Sequence, residues 1–227
     1  MEIKNKVVVI TGGSSGLGKA LAKVFSKVGA KVVIVSNNAE ELKETANELG
    51  VFSFEADITK EDQVLKIATA TVEKFKSLDI WINNAGIWLY HSPVEEMDLV
   101  RVHQLIEVNL FGTIYGSKSA LLQMKKQGAG VIINILSISA LHGRPESSGY
   151  CASKYAADGF TKSLRLELAD DHIQVIGVYP GYMKTALFNE TNPEGYENFM
   201  EPKDVAKKIL DNIISAKPKE EQIIKEI

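Results

Sequence analysis

The chain has 227 residues, 45% of them hydrophobic, and a formal net charge of −3 at pH 7. This length and composition suit one sizeable core, so we expect a single domain over residues 1–227. Acids and bases are interspersed, which argues against nucleic acid or an anionic membrane as a partner. One cysteine, no long apolar run and no cluster of metal ligands predict a cytoplasmic protein without a signal peptide, membrane span or metal site.

The first predicted elements are a strand, a glycine-rich turn, a helix and a second strand. Lys6 to Ile10 is a β-branched run of buried-strand length, and the turn TGGSSGLG follows it. A helical pattern runs to about Val28, and Lys31 to Val35 is the second strand. Glycines let a backbone approach a pyrophosphate, and a helix N-terminus offers amide donors. The unit therefore predicts nucleotide binding, although its G-x-x-x-G-x-G spacing differs from the better-known G-x-G-x-x-G.

The residues after the second strand bear on which nicotinamide cofactor is used. An acid about 20 residues past the glycines binds a free 2′-hydroxyl, whereas a base accommodates a 2′-phosphate. This chain has Ser36, Asn37 and Asn38, which are neither. Without a carboxylate to repel a phosphate, and with side chains that donate hydrogen bonds, the sequence weakly favours NADP(H) over NAD(H).

A third strand ends at an acidic residue. Ala39 to Leu49 is predicted as a helix and Val51 to Ala56 as the strand. Asp57 closes the strand and is either a loop-forming acid or an acceptor for the adenine amino group. Its place at the carboxyl end of a strand favours the second interpretation. Thr59 and Asp62 have the spacing of a capping box for the next helix, which is predicted to run to about residue 75.

Polar residues follow a fourth strand, predicted at 78–82. Asn83, Asn84, Ala85 and Gly86 either form a simple turn or pin neighbouring strands and line the cofactor. In the loop that follows, we interpret His91 as a solvated residue rather than a catalytic one. The aromatic residues at 88 and 90 are interpreted as walls of a substrate pocket.

A long helix is predicted from Asp98 to about Gln127. Asn109 lies within it in apolar company, and Gly112 and Gly116 interrupt good helix formers. A buried Asn near a glycine predicts a distorted turn or a bound water. The alternative is a simple helix-packing site.

The stretch NILSISALHGRPESSGYCASK carries the chemistry. An apolar strand leads to Ser137, and Tyr150 and Lys154 have the i, i+4 spacing that places both on one face of a helix, predicted at 149–169. A phenol has an ordinary pKa of about 10, and an ammonium about 4 Å away is expected to lower it towards neutrality. Ser137 is placed to hydrogen-bond the oxygen whose charge changes during reaction.

The remaining segments complete the predicted sheet and its surroundings. A strand is predicted at 173–179, a helix at 202–215 and a short strand at 221–227. Residues 182–200, which are polar and contain Pro and Gly, are predicted to form a lid over the ligand.

Together these motifs resemble the short-chain dehydrogenase/reductase family, in its order and approximate spacing, from about residue 4 to residue 205. The resemblance rests on TGGSSGLG, Asp57, NNAG at 83–86, Asn109, Ser137 with Tyr150-x-x-x-Lys154, and PGYMKT at 180–185. It implies an α/β fold, a doubly wound (Rossmann-type) parallel sheet of about seven strands with helices on both faces. Leu136 departs from the family, which often has a serine there, but the reactive Ser137 is kept.

The resemblance also implies roles for individual residues. Tyr150 acts as general acid in carbonyl reduction or as base in alcohol oxidation, and Ser137 orients the substrate oxygen. Lys154 holds the nicotinamide ribose, and Asn109 holds a water in a proton relay. The residues implied to contact the cofactor are Gly12, Ser14, Ser15, Gly16, Leu17, Gly18, Ser36, Asn37, Asp57, Ile58, Asn84, Ala85, Gly86, Tyr150, Lys154, Pro180, Gly181, Met183 and Thr185.

The sequence thus predicts an NAD(P)-dependent oxidoreductase that transfers hydride between the cofactor and a small carbonyl or secondary alcohol. The alternative is a catalytically silent, dinucleotide-sensing protein on the same fold. The complete set of Asn109, Ser137, Tyr150 and Lys154 argues against that alternative. A homodimer or homotetramer is expected from the resemblance, with the helices around 100–127 and 150–169 as the contact surface of a dimer.

Overall fold

The computed structural model describes residues 1–89, 91–185 and 195–225. Its strands are β1 (Val7–Thr11), β2 (Lys31–Ser36), β3 (Phe52–Glu55), β4 (Ile80–Asn83), β5 (Gly130–Ile135), β6 (Ile173–Pro180) and β7 (Glu221–Ile224). They form one parallel sheet in the order β3-β2-β1-β4-β5-β6-β7. The strand order reverses between β1 and β4, which confirms the predicted doubly wound fold and places the ligand crevice at that switch point.

Helices cover both faces of the sheet. They are α1 (Gly16–Lys27), α2 (Ala39–Leu49), α3 (Glu61–Phe75), α4 (Leu99–Ile106), α5 (Gly112–Gln127), α6 (Ser148–Glu167) and α7 (Pro202–Ile214). In β1, Val8 and Ile10 pack in one core with Leu21 of α1 and Ile209 of α7, whereas Val9 packs in the other. A strand buried on both faces is therefore continuously apolar rather than alternating. None of the described helices is long and apolar enough to cross a membrane.

The predicted helix over 98–127 is interrupted, as the apolar setting of Asn109 suggested. Residues Glu107–Phe111 form a π-helical turn between α4 and α5. The Asn109 side chain is turned inward, where it bonds to the backbone of Ile87. A Cβ on Gly112 would meet the Cδ1 atom of Ile58 at 2.3 Å, so the absence of a side chain lets the distorted turn approach the loop after β3.

The predicted capping box at the start of α3 is wrong. Thr59 donates from both its backbone nitrogen and its hydroxyl to Asp57 Oδ1, at 2.9 and 2.8 Å. The N-cap residue is Lys60, which makes no side-chain capping bond. Thr59 therefore hydrogen-bonds to Asp57, in the loop before α3, and does not cap the helix as its spacing from Asp62 had predicted.

Buried amides tie the centre of the sheet to the helices behind it. Asn83 Nδ2 donates to Asn134 Oδ1 at 2.8 Å and to Ser117 Oγ at 3.0 Å. Asn134 Nδ2 in turn donates to Thr161 Oγ1 at 2.9 Å. Because these amides lie at the ends of β4 and β5, they fix the edge from which the adjoining loops emerge. The predicted role of Asn83 in pinning neighbouring strands is confirmed.

Candidate active site

A cavity of about 490 Å³ runs along the carboxyl ends of β1 to β6. The residues predicted from the sequence that line it are Gly12, Ser14, Ser15, Gly16, Leu17, Ser36, Asn37, Asp57, Ile58, Asn84, Ala85, Gly86, Ser137, Tyr150, Lys154, Pro180, Gly181, Met183 and Thr185. Two predicted residues, Gly18 and Asn109, lie behind its wall instead. The structure therefore brings strand ends that are distant in sequence to one crevice.

The glycine-rich turn forms a cradle, a concave backbone surface, and side chains at most of its glycine positions would clash with neighbouring atoms. Gly12 has a φ of +62°, and a Cβ on it would lie 2.9 Å from the Cα of Ala85. A Cβ on Gly18 would lie 2.0 Å from the carbonyl oxygen of Gly12. Helix α1 has no acidic residue in its first turn, and its N-cap, Ser15, makes no side-chain capping bond. The turn and the open helix N-terminus therefore fit the pyrophosphate of a dinucleotide.

The turn is held from the side by the loop after β4. Asn84 Nδ2 donates to the carbonyl oxygens of Thr11 and Gly12, at 2.9 and 3.2 Å. The backbone nitrogens of Asn84 and Ala85 both donate to Thr11 Oγ1. Thr11, which was not predicted as a site residue, therefore links the two loops that border the cavity.

The far end of the cavity carries a carboxylate that was not expected there. Glu41, in the first turn of α2, lines the wall, and its Oε2 lies 3.4 Å from Ser14 Oγ. Ser14 Oγ is also 3.0 Å from Ser36 Oγ. The inference that no carboxylate faces this end is wrong, because only the residues directly after β2 were considered. The side chain of a helix residue further along the chain reaches back to the strand end.

Asp57 is held as a loop-forming acid. Its Oδ1 accepts the two bonds from Thr59, and its backbone nitrogen donates to Gln63 Oε1 at 2.8 Å. It also lines the cavity at the carboxyl end of β3. Both interpretations of this residue are thus compatible with its position, and its contact with adenine stays a prediction.

Ser137, Tyr150 and Lys154 meet in the middle of the cavity. Tyr150 and Lys154 project from the first turns of α6, and the phenol lies close enough to Ser137 for the serine hydroxyl to act on its pKa. Ser137 Oγ also accepts from the backbone nitrogen of Ser139 at 3.1 Å, which fixes its rotamer. Lys154 is 7% exposed, and its Nζ donates to the carbonyl oxygen of Ile135 at 3.3 Å. The pocket therefore holds a hydroxyl, a phenol and an amine side by side.

The predicted lowering of the Tyr150 pKa is not found. Desolvation by the surrounding protein raises the pKa of Tyr150 to about 12, although the nearby Ser137 hydroxyl and the Arg144 guanidinium act in the opposite direction. Burial also lowers the pKa of Lys154 to about 8. Lys154 Nζ lies 5.9 Å from the centre of the Tyr150 ring, above the ring rather than in a salt bridge. The cost of burying charge therefore exceeds the attraction between the two groups.

Asn109 supports the site from behind. The side chain is 2% exposed, and its Oδ1 accepts from the backbone nitrogen of Ile87 at 2.9 Å. Its Nδ2 donates to the Ile87 carbonyl and to Ser153 Oγ, at 3.0 and 3.1 Å. These bonds join the loop after β4 to helix α6, so Asn109 fixes the distance between the cofactor loop and the helix that bears Tyr150.

The other side of the cavity is formed by loops, and most of its residues were not predicted individually. His91, interpreted as a solvated residue, is exposed but lines the cavity, and its Nδ1 lies 3.1 Å from Ser147 Oγ. Trp88 lines the cavity as expected, and its ring centre is 5.4 Å from that of His91. Arg144 and Tyr182 complete this wall. Tyr90, and residues 186–194 of the predicted lid, lie outside the described residues.

No group of three or more possible metal ligands is found in the part of the chain that the structure describes. The lone cysteine, Cys151, is buried next to Tyr150 in sequence, and its sulfur faces the carbonyl oxygen of His142 at 4.0 Å.

Comparisons with known proteins agree with this geometry. The sequence matches the short chain dehydrogenase family over residues 6–195. An uncharacterized oxidoreductase of Staphylococcus aureus (strain MRSA252) is 35% identical over 211 residues, which cover 92% of this chain and 90% of that protein. An uncharacterized oxidoreductase of Staphylococcus saprophyticus is 35% identical over 212 residues, or 91% of this chain and 90% of that protein.

Solved structures of reductases and dehydrogenases share the fold along almost the whole chain. A 3-ketoacyl-(acyl-carrier-protein) reductase from Brucella melitensis, complexed with NADH, has a TM-score of 0.90 and 28% identity, covering 98% of this chain and 97% of that one. An alcohol dehydrogenase from the archaeon Thermococcus sibiricus, complexed with 5-hydroxy-NADP, has a TM-score of 0.88 and 26% identity, covering 98% and 96%. These relatives do not favour a silent binding protein. The chain belongs to the short-chain dehydrogenase family, and it is an oxidoreductase that uses a nicotinamide cofactor.

Proposed function

We propose that the chain transfers hydride between the nicotinamide cofactor and a small carbonyl compound, or oxidises the corresponding secondary alcohol. The observation that carries this proposal is the pairing of Ser137 and Tyr150, which line one cavity and are close enough for the serine hydroxyl to act on the pKa of the phenol. Together with Lys154, this pair lines the same cavity as the glycine-rich turn. A carbonyl oxygen bound between the two hydroxyls is placed to accept a proton while its carbon accepts the hydride.

Each group has a defined part in the reduction. A bound nicotinamide cofactor would supply a hydride to the carbonyl carbon. Tyr150 donates its proton to the carbonyl oxygen, since its raised pKa keeps the phenol protonated at neutral pH, and the hydride and proton together give the alcohol. Ser137 donates a hydrogen bond to the same oxygen as charge develops on it. Lys154 would hold the nicotinamide ribose and return a proton to the phenolate, and a water at Asn109 is the predicted source of that proton.

Replacement of Tyr150 by Phe tests the proposal directly. Because the proton donor is removed while the ring stays, we expect Tyr150→Phe to lower kcat by about 10²- to 10⁴-fold with little change in cofactor affinity. Oxidation of NADH and NADPH is followed by absorbance over a panel of ketones and aldehydes. Tyr155, an exposed tyrosine on the same helix, supplies the control Tyr155→Phe, which should keep full activity. Equal activity of the two variants, or no turnover of any carbonyl by the unmodified protein, would contradict the proposal.

We also propose NADP(H) as the preferred cofactor. Ser14, Ser36 and Asn37 line the end of the cavity that follows β2, and their side chains can donate hydrogen bonds to a 2′-phosphate. Glu41 is the observation against this preference, because its carboxylate faces the same space. Direct measurement of the dissociation constants of NADPH and NADH decides the matter.

The remaining proposals concern the whole molecule. We propose a single domain over residues 1–227 that works in the cytoplasm as a homodimer or homotetramer. Apolar side chains on α5 and α6 support self-association, because Leu122, Tyr155 and Leu166 are exposed by 45%, 45% and 78%. The predicted lid over 182–200 belongs to this proposal as well.

A further inference from the structure

Arg144 is a cation in the wall of the cavity, in the loop between Ser137 and Tyr150. The side chain is half-buried, and its Nη1 donates to the hydroxyl of Tyr182. The guanidinium carbon also lies 4.8 Å from the centre of the Tyr182 ring. These contacts hold the arginine at the loop side of the cavity, but they use only part of its five N–H donors.

No carboxylate of the described residues pairs with this arginine. Ion pairs within 4.0 Å account for Arg165, which lies between Glu220 and Glu221, but none includes Arg144. The only described side-chain partner of Arg144 is the Tyr182 hydroxyl, which does not compensate the positive charge of the guanidinium. That charge is therefore available to attract an anionic ligand. Arginine binds carboxylates and phosphates through two parallel hydrogen bonds, so it suits an anionic group.

Charges are distributed unequally along the cavity. Among the residues that the structure describes, the carboxylates in its wall are Glu41 and Asp57, and both lie at the end that follows β2 and β3. The described part of the wall beyond Tyr150 has the cation Arg144 and no carboxylate. Glu146, close to Arg144 in sequence, lines a neighbouring cavity of about 220 Å³ with Arg101. The substrate end of the active site is therefore positive on the side where the loops meet.

Arg144 is also close enough to influence the reacting phenol. Its charge acts to lower the pKa of Tyr150, against the larger effect of desolvation. An anion bound at the guanidinium would therefore lie in the same cavity as the oxygen that receives the proton. A compact substrate, with its anionic group close to its carbonyl, suits this arrangement.

We propose that Arg144 binds an anionic group of the substrate, a carboxylate or a phosphate, so that the enzyme reduces short oxo acids or phosphorylated carbonyl compounds. This inference rests on the proposed function and narrows it. The hydrogen bond from Arg144 to Tyr182 orders the guanidinium before the substrate arrives, which reduces the entropy lost on binding. Arg144 is thus a specificity-determining residue, and Tyr182 positions it.

Matched pairs of substrates test the inference. We would measure kcat and KM for 2-oxopentanoate and 4-oxopentanoate against their methyl esters, and for dihydroxyacetone phosphate against dihydroxyacetone. The unmodified protein should prefer at least one anionic member by about 10-fold or more in kcat/KM. Arg144→Gln should lower kcat/KM for that anion by about 10- to 100-fold, mainly through KM, and should change the neutral partner less than threefold. Arg144→Lys should restore part of the preference, because it keeps the charge but not the bidentate geometry.

A matched control separates binding from general electrostatics and from structure. Arg101→Gln removes the same charge in the neighbouring cavity and should leave the preference for the anion unchanged. If Arg144 only supported Tyr182, Arg144→Gln would lower the activity on the anion and its neutral partner equally, and that result would overturn the inference. So would an unmodified protein that uses every neutral compound as well as its anion.

Calorimetry distinguishes a failure of this inference from a failure of the proposed function. The same anions and neutral compounds are titrated into the protein saturated with NADP⁺. Binding of an anion that is lost in Arg144→Gln supports the inference even without turnover, in which case the proposed reaction is the part that fails. Turnover of neutral carbonyls together with no binding of any anion overturns the inference and leaves the proposed function intact.

Discussion

The two ends of the active-site cavity are built in different ways. At the cofactor end, the backbone makes the surface, through a glycine turn, a helix N-terminus and the loop that bears Asn84. At the substrate end, side chains make the surface, and they meet across long stretches of sequence. Arg144 and Tyr182 are 38 residues apart, and His91 and Ser147 are 56 apart.

This difference separates what is fixed from what is adjustable. A backbone cradle is defined by sterics, since a single methyl group at Gly18 would occupy the space of a carbonyl oxygen. A side-chain wall can be changed one residue at a time without moving the sheet. The first end therefore suits a cofactor common to a family, and the second suits a substrate that differs between members.

The largest expected effect comes from placing a methyl group in the backbone cradle. In Gly18→Ala, the Cβ would lie 2.0 Å from the Gly12 carbonyl oxygen and 2.6 Å from Asn84 Nδ2. Because the clash is with backbone, the turn must move, and we expect a loss of about 3 kcal/mol in the free energy of unfolding. We also expect cofactor affinity to fall by about 10-fold or more, since the amide donors move with the turn. Urea unfolding and calorimetry with NADPH measure the two effects.

Gly159→Ala is the matched control. Gly159 lies in α6, and a Cβ there would meet nothing within 4 Å. Alanine is the better helix former by about 1 kcal/mol, so this variant should be at least as stable as the unmodified protein and bind the cofactor equally well. If both alanine variants bound NADPH like the unmodified protein, the shape of the cradle would not depend on the missing side chain of Gly18.

The same contrast explains what the sequence could predict. The central strands are largely apolar runs and many turns have a local spacing, so the predicted bounds of most elements differ from the observed ones by one or two residues. The inward-turned Asn109 was expected to distort its helix because a polar residue among apolar ones must find a partner. Arg144 and Glu41 gave no comparable signal, since their positions depend on how separate loops and helices meet.

The Tyr150 pKa was predicted in the wrong direction for a related reason. The i, i+4 spacing correctly places Tyr150 and Lys154 on one face of α6. Spacing does not report how much water surrounds the two groups, and desolvation outweighs their attraction in the folded protein. A pair motif therefore locates the groups but does not determine their protonation.

The lowered pKa of Lys154 predicts that the free energy of unfolding depends on pH. The expected effect is smaller than that of Gly18→Ala. The pKa of Lys154 is about 8 in the folded protein, whereas the pKa of an unperturbed lysine is 10.5. Between these values the unfolded chain binds more protons, so the free energy of unfolding rises with pH, and it falls as pH drops towards 8. We expect this group to add about 1.5 kcal/mol between pH 8 and 9.5. The measurement is urea unfolding of the cofactor-free protein across this range.

Lys154→Met isolates this contribution from other titrating groups. The variant should be more stable than the unmodified protein at pH 8, and the difference should shrink as pH approaches 9.5. If the difference in the free energy of unfolding stayed constant or grew with pH, burial would not lower the pKa of Lys154 in the folded protein. Carbonyl reduction should be strongly impaired at every pH, because the variant cannot hold the ribose or relay a proton.

The smallest expected effect concerns Glu41, a carboxylate near the proposed 2′-phosphate position. Glu41→Gln removes a negative charge from the wall but keeps the size of the side chain and its contact with Ser14. The site is open to solvent, so the repulsion is worth about 1 kcal/mol or less, and we expect NADPH to bind about three- to fivefold more tightly. NADH, which has no 2′-phosphate, should bind with unchanged affinity.

Glu40→Gln is the control, because Glu40 lies in the same turn of α2 and does not line the cavity. If both variants improve NADPH binding equally, the effect comes from the net charge of the protein. If neither variant improves it, the Glu41 carboxylate does not face the 2′-phosphate, and the side chains at the cofactor end do not discriminate between the two cofactors in the way proposed.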